Sequence, residues 1–394
     1  MKFDNITKLK LIYFFKSLFF FSPIITLFYF SRSLDTFQVV SLEAFLILAV
    51  LVSEIPTGMI ADSLGRKWSL IMLTSLYLIG NVWTIYAHSY FEFILIQLLF
   101  GVGIAFGSGA IEALVYDSLK YQHKEKEMSK IWGSINSYSL IASVIAVTIG
   151  GYLARSHNPD SFVFLLWLYV IGVCIALFLS LFITERKHEK EIERKSPLLL
   201  FKESTLHIFE NKSLRRIIFL LVFTQPFMHV IIFTFQPYFL IANVNKAFFG
   251  VGMALGSLLG FFLMKYAYKI EQKLGLNKTI LISTLVPGLL YLVMAFFIGP
   301  WISFVWYILH KGSMQMSGPL FSQYQNQHIK SHNRATVLSV ISMMVALYLV
   351  IMRFVLGKIA NYDLILSFIV MGIIIIVGAI AFRINENDVN GLKQ

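Results

Sequence analysis

Hydrophobic and polar positions along this chain fall in long blocks, with no short period. Twelve apolar runs start near Leu11, Phe37, Trp68, Phe91, Ile131, Phe162, Ile217, Phe248, Ile280, Trp301, Thr336 and Leu364. Each is roughly 19 to 24 residues long, enough at about 1.5 Å per residue to cross about 30 Å of hydrocarbon. The runs lack the every-second-residue alternation of an outer-membrane strand, so they predict helices. The expected fold is an all-α membrane protein with twelve transmembrane helices.

One polar block interrupts the series. From Thr184 to Leu214 the hydrophobicity breaks, in a stretch that includes ERKHEKEIERK and is too polar to span anything. It divides the chain into an N-terminal six-helix bundle over 1–184, a cytoplasmic linker over 185–213 and a C-terminal six-helix bundle over 214–394. Two bundles joined by one long cytoplasmic connection, related by an axis along the membrane normal, are the plan of a secondary transporter. The charged run itself reads as a solvated connector.

Composition sharpens this. Hydrophobic residues make up 57% of the chain and charged residues 14%, at a mean hydropathy of +0.74, which excludes an ordinary soluble domain. The first span follows MKFDNITKLK without a small-residue cleavage site behind it, so it is read as retained, with the N-terminus cytoplasmic. Given twelve helices, 26 of the 33 Lys and Arg residues then fall inside, four fall outside (Arg32, Arg155, Lys246, Lys358) and three lie within spans (Lys16, Lys311, Arg353). The expected location is the cytoplasmic (inner) membrane, multi-pass, with both termini cytoplasmic. The net charge of +12 sits in short loops beside anionic lipid, so no nucleic-acid partner is expected. Cys174 is the one cysteine, inside the sixth span, and serves packing. No His/Cys/Asp spacing offers a metal centre or a nucleophile with its base, and no G-x-x-x-x-G-K-[ST] loop is present. No enzyme activity, cofactor, metal or direct ATP coupling is expected, and the chain is expected to work as a monomer in the bilayer.

Charge is concentrated in one short stretch, GMIADSLGRKWSL, between the second and third spans. It reads G-x-x-x-D-x-x-G-R-K, met by Gly58, Asp62, Gly65, Arg66 and Lys67, with the glycines suited to close approach and a tight turn. Here the chain resembles the major facilitator superfamily of bacterial type, whose cytoplasmic loop 2–3 carries this signature. The resemblance implies two pseudo-symmetric six-helix bundles and a conformational latch of the outward-facing state, built from these five residues with Asp117, in EALVYDS, as the acid on the fourth helix. It also implies a degenerate second copy in loop 8–9, where Gly275 is kept and Gln272 stands in the place of the Asp. The family's drug:proton antiporters carry an Arg where this chain has Gln97, and a Gly-Pro where it has Ala146 and Val147, so neither feature carries over.

Polar residues inside spans are costly and mark function. Lys16, Glu54 and Glu112, on spans 1, 2 and 4, fall at similar depth and suggest a buried network able to hold a coupling proton. In the C-terminal half Lys311 falls near the midplane with His310 before it, and Arg353 lies toward the outer end of span 11 with Glu43 as a candidate partner. Gln225, His229 and Gln236 share one face of span 7, beside Pro226 and Pro237. The resemblance implies a central cavity lined by spans 1, 4, 7 and 10, which makes Gln225, His229, Gln236, His310, Lys311 and Arg353 substrate-cavity candidates. Gly252, Gly256 and Gly260 on span 8, and Gly103 and Gly107 on span 4, are expected to pack helices closely. The expected function is secondary active transport of a small organic solute by alternating access, proton-coupled and outward. Uptake of a small anionic or zwitterionic metabolite is the alternative, and a non-transporting receptor on the same scaffold is the alternative of another class.

Overall fold

A computed structural model describes residues 4–120, 123–124, 127–156, 159–185, 212–329 and 334–384. Of the expected linker, 186–211 lie outside the described residues. Contacts divide the chain into two compact units, Met1–Lys190 with Lys246–Val251, and Glu191–Asn245 with Gly252–Gln394.

In the first unit the helices are α1 (Asn5–Lys16), α2 (Ile25–Ser31), α3 (Thr36–Leu64), α4 (Arg66–Tyr86), α5 (Tyr90–Gly107), α6 (Ala110–Lys120), α7 (Met128–Leu153) and α8 (Pro159–Leu181). In the second they are α9 (Lys212–His229), α10 (Ile231–Ile241), α11 (Ala247–Leu274, whose first residues to Val251 group with the first unit), α12 (Leu276–Phe296), α13 (Pro300–Ser313), α14 (Ser317–His328), α15 (Arg334–Tyr362) and α16 (Leu364–Ala381). Among the described residues nine helical segments are long and apolar enough to cross a membrane, or ten if the pair α9 and α10, bent by 41°, counts as one. The other two of the twelve expected spans are divided into shorter helices: the first into α1 and α2, the tenth into α13 and α14.

Helix starts follow local chemistry. Asp35 caps α3 through the Gln38 N–H at 2.8 Å, and Gln38 returns its side-chain oxygen to the Asp35 N–H at 3.0 Å. Ser89 and Glu92 repeat this box at α5, and Asp363 caps α16 through the Leu366 N–H at 2.9 Å. Two spans are joined by a single residue in each unit, Gly65 between α3 and α4 at φ +104° and Gly275 between α11 and α12 at φ +80°. Both lie in the left-handed region that side chains avoid.

Packing uses small residues, as expected where lipid is as apolar as the helix surface. A methyl on Gly252, Gly256 or Gly260 of α11 would come within 3.0 Å of Phe304, Lys311 or Gln315, so this glycine face lies against α13 and the turn after it. Gly103 and Gly107 face Leu73, Leu76 and Tyr77 of α4. A methyl at Gly58 would meet nothing within 4 Å, so the close approach expected at that glycine is not used.

Candidate functional site

At the cytoplasmic end of the first unit, α3 stops at Leu64 and α4 begins at Arg66, which leaves the first N–H groups of α4 without helical partners. Glu185 supplies the acceptor: its two oxygens take the Arg66 N–H at 2.7 Å and the Lys67 N–H at 2.8 Å. A carboxylate on a helix N-terminus meets both the orphan donors and the positive end of the dipole. The Arg66 guanidinium points the other way, forming an ion pair with Asp117 and donating to the Ala113 carbonyl at 2.9 Å, both on α6. Asn5 ties α1 to the same end, donating to the Thr184 carbonyl at 2.7 Å and accepting from its N–H at 3.1 Å. Lys8 donates to the Phe182 carbonyl at 2.6 Å. One polar cluster therefore joins the ends of α1, α4, α6 and α8. Arg66 and Asp117 come together as sequence suggests, while Asp62 has its backbone in α3 and its side chain outside the described residues. Sequence reasoning missed Glu185, the first residue of the expected linker, which nothing local distinguishes from the charges after it.

In the second unit the glycine turn is kept, with Gln272, Leu276 and Asn277 in the places of Asp62, Arg66 and Lys67. The corresponding tie is Gln323 of α14 donating to Glu271 of α11 at 2.7 Å.

Inside the spans, the irregular backbone is where the polar side chains gather. Span 1 unwinds after Lys16, and its frayed end is held by the Tyr169 hydroxyl on the Lys16 carbonyl at 3.1 Å and by a hydrogen bond between Ser17 and Ser139. A side chain at Gly150 would run into the Phe20 carbonyl, so this glycine admits the unwound segment. The Lys16 ammonium lies over the Tyr13 ring at 4.9 Å and the Tyr77 ring at 5.7 Å. It forms no ion pair with Glu54 or Glu112. The cause is local: Lys16 closes α1, and its side chain is taken up by aromatic faces. The two carboxylates instead attend the break in span 4, where Ser108 donates to Glu54 at 3.4 Å and Glu112 occupies the first turn of α6. Glu112 is close enough to act electrostatically on the Tyr13 hydroxyl.

Span 7 breaks at Val230, leaving the last carbonyls of α9 without helical partners. Arg353 of α15, 1% exposed, donates to the Pro226 carbonyl at 3.2 Å. The Tyr291 hydroxyl of α12 donates to the Phe227 carbonyl at 2.9 Å and accepts the Ile231 N–H at 3.1 Å, so it closes both sides of the break. His229 ends α9 within electrostatic reach of Arg353, Lys311 and His310. His310 and Lys311 sit in the last turn of α13, just before the 3-10 turn Met314–Met316 that divides span 10. His310 is fully buried, its ring 4.2 Å from that of Tyr291, and both ring nitrogens lack a hydrogen-bond partner. Gln225 donates to Ser317 at 3.2 Å across to α14, and Gln236 is fully buried on α10. Of the substrate-cavity candidates, Arg353 and His310 reach the end of α9 that carries His229, one through the Pro226 carbonyl and the other through the Tyr291 ring, whose hydroxyl holds the Phe227 carbonyl. Arg353 holds backbone of span 7 just before its break, a role the sequence did not suggest.

The signs follow the half-helix dipoles. Lys16, His229, His310 and Lys311 lie in last turns, and Glu112 lies in a first turn.

The chain resembles known transporters over most of its length. An uncharacterised MFS-type transporter of Bacillus subtilis (strain 168), YxaM, is 24% identical over 270 residues, which cover 67% of this chain and 66% of that relative, just under two thirds. A crystallised mutant of the nucleoside transporter NupG superposes with a TM-score of 0.82 at 14% identity, covering 96% of this chain and 99% of that one. A D-xylose–proton symporter gives 0.69 at 13% identity, covering 96% and 95%. At such identities these structures establish the all-α transporter fold and not a substrate. The Major Facilitator Superfamily model matches residues 11–352, and the chain belongs to that family of multi-pass membrane transporters.

Proposed function

We propose that this chain is a secondary active transporter that moves a small organic solute across the cytoplasmic membrane by alternating access, driven by protons. The observation that carries the reading is that spans 1, 4, 7 and 10 are all discontinuous, each with an ionisable residue at its break. Non-helical backbone at membrane depth is tolerated where it is buried in protein or lines a water-filled cavity, and broken helices in corresponding positions of two halves point to the binding region. Glu54 and Glu112 are the groups on which a proton would travel in the first unit, since both attend the break in span 4. The cytoplasmic cluster of Arg66, Lys67, Asp117 and Glu185 would then act on the equilibrium between states and leave the solute untouched. A nucleoside transporter and a D-xylose–proton symporter among the structural neighbours fit a small polar solute class. The chain would act as a monomer with both termini inside.

Proteoliposomes holding the full chain, with an imposed pH gradient and a panel of nucleosides, sugars, amino acids and organic acids, test this. Accumulation of one panel member that follows the gradient is expected, reduced about tenfold or more in Glu112→Gln or Glu54→Gln while solute exchange without a gradient persists. Unaltered pH dependence in both variants would end the proton-coupling proposal. Export is the direction of this first reading. Uptake is the second reading, favoured by Gln97 and by Ala146–Val147, which stand where antiporters of the family carry their Arg and Gly-Pro. The sidedness of the flux separates the two. Binding without flux of any solute would mark a receptor.

A further inference from the structure

The spans of the second unit hold positive charge and no acid. Between residues 212 and 384 the acids are Glu271 and Asp363, one in the last turns of α11 and the other capping the start of α16. Lys311 lies on α13, twelve residues into a span, and among the described residues it makes neither an ion pair nor a hydrogen bond. Its aliphatic stem is accommodated by Gly256, where a methyl would come within 2.9 Å of the lysine Cδ. Gly256 therefore makes room for this side chain, as Gly252 and Gly260 do for Phe304 and Gln315.

A structural reason for the lysine has to be weighed first. It sits in the last turn of α13, and a helix C-terminus carries roughly half a negative charge, which favours a cation there. That offsets about half of one ammonium charge and leaves the rest uncompensated at membrane depth, where an unpaired charge costs several kcal/mol. Helix capping alone does not account for the group. The same locality holds a second unmet demand: both ring nitrogens of His310 are buried without partners, and one of them carries a proton in any tautomer. His229 closes α9 within electrostatic reach of Lys311 and of His310. Arg353 is engaged on the Pro226 carbonyl and acts here as a positioning residue, fixing the end of α9 that carries His229.

We propose that this cluster in the second unit is the site for a single carboxylate of the transported solute, with Lys311 as counter-ion and the His229 and His310 rings as hydrogen-bond partners. This deepens the transporter reading and rests on it. One ammonium matches one negative charge, and the Arg353 guanidinium is engaged on the Pro226 carbonyl, so a monoanion suits the site better than a dianion. A carboxylate is acceptor-only and takes several donors at once, which an ammonium and an imidazole N–H provide. Tyr307, stacked on Phe235 at 4.7 Å, and Tyr291, beside His310, are fully buried and hold the helices around this cluster in place.

The test uses the purified full chain, with thermal stabilisation by benzoate and hexanoate compared against benzamide and hexanamide, and against the dianions phthalate and adipate. The monoanions are expected to bind about tenfold or more tightly than the amides and the dianions. Lys311→Gln is expected to lose that preference, and Lys311→Arg, which keeps the charge, to recover most of it. Amides binding as well as acids, dianions binding tighter, no binding by either monoanion, or a Lys311→Gln variant that keeps the preference would each overturn the proposal. Counterflow in proteoliposomes separates this from the transporter reading. A carboxylate that binds through Lys311 but never exchanges would sink the transporter reading and leave the site. Exchange of a neutral solute, indifferent to Lys311→Gln, would do the reverse.

Discussion

Gly65 and Glu185 show how much rests on single residues. Gly65 has a backbone angle of φ +104°, and a methyl there would lie 2.6 Å from the Glu185 carboxylate. Gly65→Ala therefore meets a strained backbone and displaces the cap of α4, for an expected loss of about 1 to 3 kcal/mol, read as a lower thermal midpoint of the purified protein. Glu185→Gln keeps the shape of the cap and removes its charge, so about 0.3 to 1 kcal/mol should go, and less of it at high salt. If Glu185→Gln and Glu185→Ala both leave the midpoint where it was, the cap contributes nothing. The glycine was legible in the sequence because only its type fits a one-residue turn between two helices, and Arg66 with Asp117 because the resemblance to the family implied an acid at that end of span 4. Glu185 was not legible. It stands in TERKHEK among charges that read as linker, and its role exists only because α8 ends next to the start of α4.

Helices are the scale at which reading from sequence partly failed. Apolar runs at Leu11, Phe91, Ile217 and Trp301 read as continuous spans, since hydropathy averages over a window and a break of one to five residues scarcely lowers it. Pro226 and Pro237 flank the break in span 7 without marking it, and spans 1, 4 and 10 break at serines, Gly109 and a Met-Gln-Met turn. What permits these breaks comes from other helices: Tyr169 for α1, Tyr291 and Arg353 for α9. Tyr291→Phe isolates the consequence, because it removes one hydroxyl and strands the Phe227 carbonyl and the Ile231 N–H in a fully buried place. A loss of about 1 to 3 kcal/mol is expected, with faster amide exchange concentrated at Ile231 and its neighbours. Uniform loosening, with no excess at the break, would show that the hydroxyl serves general packing.

On the proposed reading, the chain as a whole separates its machinery from its cargo site. The G-x-x-x-D-x-x-G-R-K stretch ends in a cluster at the cytoplasmic edge of the first unit, tying α1, α4, α6 and α8 into one body through Asn5, Arg66, Asp117 and Glu185. The candidate carboxylate site lies in the spans of the second unit, around Lys311. A residue that biases the equilibrium between states changes the rate of turnover and the apparent affinity only through the fraction of competent molecules, whereas a residue touching solute changes affinity in every state. Arg66→Ala should therefore lower the rate of counterflow by about tenfold while the preference for benzoate over benzamide survives. Lys311→Gln should abolish that preference at a protein midpoint no lower than the parent's, since it removes a charge that no acid among the described residues partners. The pair of variants makes a crossed comparison, rate without selectivity against selectivity without stability. An Arg66→Ala protein that lost the benzoate preference outright would show the cytoplasmic cluster to be part of the site, and the separation would fall.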